Sequence, residues 1–285
     1  MHVNCHYWGQ DAFVLNLGDA LVPLILRALG HDCAPGSGAA VNAGRTLLVI
    51  GSLLDDADLD RIAGPIDVWG CGWRGGTVSD RNLERVTFHG VRGPLTARAL
   101  GLSGTVPQSD PGFLMPRILP PPAVRHGRRL VIPHCLRVRT QRPAQRLAAT
   151  GADGILSPWV ARRQARLTSA SLQQAARRLV SAAVWPRGVE SSVRALAGAH
   201  FVLTGSLHGA ILCQAYGTPW AAYEDDGIDA PAKWQDLAAL LDIDIALVRT
   251  VGAGEAWWDR TGQWARPPEL EPFLAAFPYP SEGTR

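Results

Sequence analysis

The sequence predicts an α/β fold built as two Rossmann-like domains facing a cleft, and three observations carry that prediction. Short apolar runs, several closed by glycine, alternate with helix-like segments along most of the chain. That is the pattern of parallel strands joined by helical crossovers. A proline cluster, Pro116 followed by Pro120, Pro121 and Pro122, breaks the alternation near the middle, since proline suits neither a helix interior nor a central strand. Hydrophobic residues make up 47% and charged residues 19% of 285 positions, which fits a sizeable core and argues against disorder.

The first half, residues 1–120, opens with a strand over Val3–Tyr7 and a helix over Asp19–Leu29, where Pro23 falls early. Thr46–Ile50 reads as a buried strand ending at Gly51, Ile66–Trp69 as another ending at Gly70, and Arg85–Val91 as a third. Pro94–Leu100 is a short helix closed by Gly101. Residues 116–127 read as a stiff linker. The second half, residues 128–251, restarts with a strand over Arg129–Pro133, a helix near Pro143–Thr150 and a strand at Ile155–Leu156. Helices follow over Ser169–Ala183, with Ser169 as N-cap, and over Val189–Ala197. Then come strand Phe201–Thr204, helix Leu207–Tyr216, strand Trp220–Tyr223 and helix Pro231–Leu241. The tail, residues 252–285, holds Trp257, Trp258 and Trp264 and is read as packing back across the first half.

A net charge of +3 is too weak and too scattered for a nucleic-acid binder. No apolar run approaches the about 20 residues of a membrane helix, and the N-terminus lacks the pattern of a signal peptide. The five cysteines (Cys5, Cys33, Cys71, Cys135 and Cys213) form neither a C-x-x-C pair nor a zinc spacing. They are expected as reduced thiols of a cytoplasmic protein, packed as small apolar groups. No metal site is expected.

Gly70-Cys71-Gly72-Trp73-Arg74-Gly75 matches G-x-G-x-x-G after a predicted strand. No convincing helix follows it, and no acidic residue stands where a ribose would need one, about 20 positions on. The loop therefore reads as a close approach of backbone or ligand, not as a dinucleotide site.

The most informative stretch runs from Phe201 to Trp220. A strand ends at Thr204 and a helix opens within a few residues, so His208 falls at the carboxyl end of a strand and in a first helical turn. In open α/β sheets ligands bind at that edge, and free N–H groups of a helix N-terminus suit an anion. Gly205 and Gly209 keep the turn small.

Ser206-Leu207-His208-Gly209-Ala210-Ile211, followed by Ala215-Tyr216-Gly217-Thr218-Pro219-Trp220, resembles the signature of the polysaccharide pyruvyl transferase family. Asn16-Leu17-Gly18-Asp19 resembles its N-x-G-D opening, and Val91-Arg92-Gly93-Pro94-Leu95-Thr96 its R-G-x-x-T segment. Asp110-Pro111-Gly112-Phe113-Leu114 resembles D-P-x-x-L, and Lys233-Trp234-Gln235-Asp236 resembles K-W-x-D. The resemblance implies a GT-B-like fold. It also implies transfer of pyruvate from phosphoenolpyruvate onto two hydroxyls of a sugar in a lipid-linked exopolysaccharide unit, giving a cyclic ketal and phosphate. Phosphoenolpyruvate is then a co-substrate, and no cofactor is required. The donor is expected in the second half and the acceptor in the first, at the cytoplasmic membrane face.

On that reading His208 is the acid and Asp19 a general base, with Ser206, Leu207 and Gly209 at the donor phosphate. The family implies arginine two residues before the histidine, where Ser206 stands. The missing cation is assigned to Arg137 and Arg139, with His134 in the same loop and Lys233 near a helix start. Asn16, Gly18, Arg92, Asp110 and Trp73 are placed with the acceptor, Trp8 being the alternative aromatic platform. Each has a bland reading too: Asp19 as a helix N-cap, Asp110 as a turn residue before proline, Arg92 as a buried or capping side chain. Two other functions share these features. One is a GT-B glycosyltransferase using a nucleotide sugar; the other is a non-catalytic glycan-binding protein, motivated by Ser206.

Overall fold

The computed structural model describes residues 1–8, 14–33, 42, 44–102, 104–137, 141–161, 187–225 and 230–279. The fold is α/β with two parallel sheets. The first takes the order Cys5–His6, Thr46–Leu48, Ile66–Trp69, Val86–Gly90. The second takes the order Leu247–Val248, Trp220–Tyr223, Phe201–Thr204, Arg129–Ile132, Gly154–Ile155. The strands that read as unbroken apolar runs are the interior ones, because a parallel sheet is covered on both faces. Phe201–Thr204 and Trp220–Tyr223 are buried at every position.

A third, small sheet was not foreseen. Val14–Asn16 runs antiparallel to Trp159–Ala161, with Asn16 opposite Trp159, and Arg187–Gly188 adds in parallel. Leu17 N–H also donates to the Pro158 carbonyl at 2.9 Å. Three-residue strands carry too short an alternation to be read from sequence, yet this pairing ties the N-x-G-D segment to the second half. One buried cluster joins the two halves, from Leu15, Leu17 and Leu21 to Ile132, Leu203 and Ile211, and a second, with Leu48, Ile66 and Val68, belongs to the first sheet alone.

Helix Leu207–Tyr216 is buried almost all round, which its composition dictates: apart from His208 and Gln214 it has no strongly polar face. Ser206 caps its start and Gly217 ends it at φ 63°. The helix packs on the short 3₁₀ turn Pro111–Leu114 of the first half. Pro120 and Pro121 are exposed and Pro122 is half-buried, all in irregular chain. Pro116 falls in the first turn of helix Met115–Ile118, where its missing N–H costs nothing. The expected helix over Ser169–Ala183 lies outside the described residues.

The tail begins on the second sheet and ends on the first. Helix Val251–Arg260 covers Trp220–Tyr223 and Phe201–Thr204, with Trp257 and Trp220 at 5.4 Å. Phe273 then stacks on Trp69 at 4.5 Å, and Trp69 Nε1 donates to the Phe273 carbonyl at 2.8 Å. Tyr279 donates its hydroxyl to the buried Asp67, which also takes Arg45 at 2.6 Å and His89 at 3.0 Å. Burial pushes the Asp67 carboxyl up, but the hydrogen bonds from Arg45, His89 and Tyr279 outweigh it and hold it well below the usual carboxylate range. A lowered folded pKa contributes stability above the unfolded value, and that contribution is lost as pH falls. The urea midpoint should therefore drop as pH falls below about 4, and Asp67→Asn should flatten that dependence.

One expectation is corrected here. Cys5 and Cys33 are disulfide-bonded, with Cα atoms 5.8 Å apart. The pairing of His2–Val3 with Asp32–Cys33 brings them together, a contact that spacing in the chain does not reveal. Cys71 and Cys213 are buried free thiols. No helix among the described residues is long and apolar enough to cross a membrane.

Candidate active site

A cavity of about 400 Å³ lies where the carboxyl end of the second sheet meets loops of the first half. His208, Ser206 and Leu207 line it from the helix start, and His134, Cys135 and Leu136 from the loop after strand Arg129–Ile132. Lys233 enters from helix Pro231–Leu241. Asn16, Asp19 and Trp8 come from the N-terminal segment, and Ser52, Asp55, Asp58, Arg61 and Arg74 from two first-half loops.

The turn before His208 is held locally. Thr204 Oγ1 accepts from Ser206 N–H and donates to the Ser206 carbonyl, both at 3.0 Å. Ser206 Oγ accepts from Gly209 N–H at 3.4 Å, so its hydroxyl serves as the helix cap. The N–H groups of Leu207 and His208, in the first turn, have no intrahelical acceptor. Gly209 is confined by packing: a Cβ there would overlap Thr204 Oγ1.

His208 keeps 11% of its side-chain surface, and its Nε2 lies 3.5 Å from Asp110 Oδ2, which is wholly buried. Asp110 Oδ1 accepts from Gly112 N–H at 2.8 Å, capping the turn Pro111–Leu114. Gly18 stands on another side of the imidazole, where a Cβ would overlap Nδ1. Asn16 Oδ1 fixes that loop by accepting from Gly18 N–H at 2.8 Å. Asp19 is buried at the start of the next turn and lines the cavity.

Several placements differ from expectation. Arg92 does not reach the acceptor side of the cavity. It is buried and donates to Asp236 at 3.0 Å, Ser52 Oγ at 2.7 Å and the Trp73 carbonyl at 2.9 Å. Asp236 also accepts from Leu95 N–H, Thr96 N–H and the Thr96 hydroxyl, at 2.9, 3.0 and 2.7 Å. The R-G-x-x-T and K-W-x-D segments are thus two sides of one lock between the halves. A buried arginine needs a carboxylate, and Gly93 leaves room for this one. Asp110 stands behind His208 instead of facing the cavity. Trp73 does not line it either; its indole N–H donates to the Gly76 carbonyl. Trp8, 39% exposed, is the aromatic residue at the rim.

Arg137 is exposed and outside the lining, and its carbonyl accepts from Arg146 at 3.0 Å. Arg139 lies outside the described residues. Arg146 itself is buried against Asp225 at 2.6 Å, and Asp225 accepts from His134 N–H at 3.2 Å. That pair shapes the loop that brings His134 to the cavity. Arg61 and Arg74 went unread because arginine in a loop carries no periodic signal. Beside them, burial and the neighbouring Asp55 push the Asp58 carboxyl up, against the pull of Arg74 and Arg61. Two glycines of the G-x-G-x-x-G run are accounted for by packing: a Cβ at Gly70 would overlap Pro111, and one at Gly72 the Arg92 guanidinium, while Gly75 stands at φ 108°. Among the described residues no group of three His, Cys, Asp or Glu side chains could hold a metal ion.

An α/β fold with a carboxylate-backed histidine at a strand-to-helix turn, cations beside it and a sugar-sized cavity in front defines a group-transfer enzyme. The chain belongs to the polysaccharide pyruvyl transferase family, whose model matches residues 16–227. It is a pyruvyltransferase that acts on a polysaccharide. A solved structure of a functional uncharacterized protein from Klebsiella pneumoniae subsp. pneumoniae NTUH-K2044 is similar over 82% of this chain and 87% of its own, at 14% identity and a TM-score of 0.43. Comparison with curated proteins found no match.

Proposed function

We propose that the protein transfers pyruvate from phosphoenolpyruvate to two hydroxyls of one sugar of a lipid-linked exopolysaccharide unit, forming a cyclic ketal. The observation that carries this reading is the convergence of His208, the helix start at Ser206–Leu207 and Lys233 on one cavity. Phosphoenolpyruvate brings a phosphate and a carboxylate, which call for fixed cations and backbone donors. Lys233, Arg74 and the helix N-terminus meet that need, so arginine is not required at Ser206. The lipid carrier and the membrane face rest on the resemblance.

His208 gives a proton to C3 of the donor, turning the methylene into a methyl group and leaving C2 oxocarbenium-like. A sugar hydroxyl forms a C–O bond to C2 and loses its proton to Asp19. The second hydroxyl forms the other C–O bond as the C2–phosphate oxygen bond breaks. One hydroxyl proton restores His208 by way of solvent and the other leaves with phosphate, so the reaction balances without an oxidant or a cofactor.

Thermal unfolding with millimolar phosphoenolpyruvate, UDP-glucose or GDP-mannose tests the donor. A ligand at 100 times its Kd stabilises by about 2.7 kcal/mol, and only phosphoenolpyruvate is expected to raise Tm. A rise with a nucleotide sugar and none with phosphoenolpyruvate would overturn the reading in favour of a glycosyltransferase.

A further inference from the structure

The two nitrogens of His208 are not in equivalent places. Nε2 is fully enclosed and Asp110 Oδ2, equally enclosed, is the acidic oxygen beside it at 3.5 Å. Neither atom has a hydrogen-bond partner among the described residues. An enclosed acceptor and an enclosed ring nitrogen at that separation are matched only if the nitrogen carries the proton. Nδ1 lies on the Gly18 side, where only the lack of a Cβ lets the loop pack against the ring, and His208 lines the cavity.

We infer that Asp110 is a positioning residue that holds His208 as the Nε2–H form, so that the proton exchanged with substrate sits on Nδ1. The inference deepens the proposed reaction and rests on that reading for its kinetic part. The hydrogen bond made by one ring nitrogen decides which tautomer is present and what the other nitrogen can do. Asp110 itself has no route to substrate, since Oδ1 holds Gly112 N–H and the side chain is wholly buried. Its Oδ1 contact explains why the D-P-x-x-L segment needs a carboxylate in one rotamer: one oxygen anchors the turn and the other faces the histidine. The other titratable groups lining the cavity with His208 are His134, Cys135 and Lys233, with Asp19, Asp55, Asp58, Arg61 and Arg74 from the first half.

The first test needs no substrate. Nitrogen-15 NMR of the imidazoles, assigned with His208→Gln, should find the neutral His208 ring protonated at Nε2 in the wild-type protein. Asp110→Asn keeps an oxygen for Gly112 N–H and removes the charge. It should shift the neutral ring toward the Nδ1–H form. In phosphate-release assays the same variant should lose about 10²–10⁴-fold in kcat, as expected when a histidine is held in the wrong tautomer, with a smaller change in KM. A wild-type ring protonated at Nδ1, or an Asp110→Asn protein with unchanged tautomer, would overturn the inference. A correct tautomer in a protein that ignores phosphoenolpyruvate would uphold the dyad and overturn the donor assignment instead.

Discussion

His208→Ala is expected to lower phosphate release from phosphoenolpyruvate by about 10²–10⁴-fold, the usual contribution of a positioned acid. The reason is geometric. The helix Leu207–Tyr216 delivers the imidazole to the cavity, where it can give up a proton. Alanine is a good helix former, so the helix should persist, and far-UV circular dichroism should match wild type. Donor binding separates the two roles open to the histidine. If it acts in the chemical step, the Kd for phosphoenolpyruvate changes by only a few-fold, because Lys233 and the helix start still hold the anion. A rise in Kd of 100-fold with little loss of kcat would assign His208 to the phosphate and remove it from proton transfer.

Asp236→Ala should cost about 3–5 kcal/mol of stability, the range for breaking a buried ion pair from one side. Asp236 and Arg92 are each 1% exposed. Removing the carboxylate leaves a buried guanidinium with only Ser52 and a carbonyl as partners, and it strips the cap from the start of helix Pro94–Ala99. Urea unfolding gives the size. The double variant Arg92→Met, Asp236→Leu should recover part of the loss, because the cost lies mainly in the uncompensated charge. A single-variant loss below about 1 kcal/mol would mean that the lock does not hold the halves together. Turnover should fall as well, since Lys233 precedes Asp236 by one helical turn and lines the cavity.

The elements that sequence reading located were those whose signal is local. Phe201–Thr204, Leu207–Tyr216 and Trp220–Tyr223 stand where an apolar run, a cap and a closing glycine put them. Ile66–Trp69 and Pro143–Thr150 agree in the same way. Val14–Asn16 and Trp159–Ala161 did not announce themselves, because their partners are far apart in the chain and each is three residues long. Among the site residues, His208, Ser206, Asp19, Asn16, His134 and Lys233 are brought to one cavity. Arg92 and Asp110 were chosen for their chemistry, and chemistry alone does not tell a charged residue that faces a cavity from one that faces a buried partner.

The sequence by itself determined the alternation of strand and helix and the family to which the motifs belong. These depend on neighbours within a few positions, through backbone geometry and side-chain periodicity. The tertiary structure alone decided that Arg92 meets Asp236, 144 residues away. It likewise put Asp110 behind His208 and joined Cys5 to Cys33. The physical reason is that a buried charge or thiol takes its role from what surrounds it in space, and segments far apart in the chain supply those surroundings.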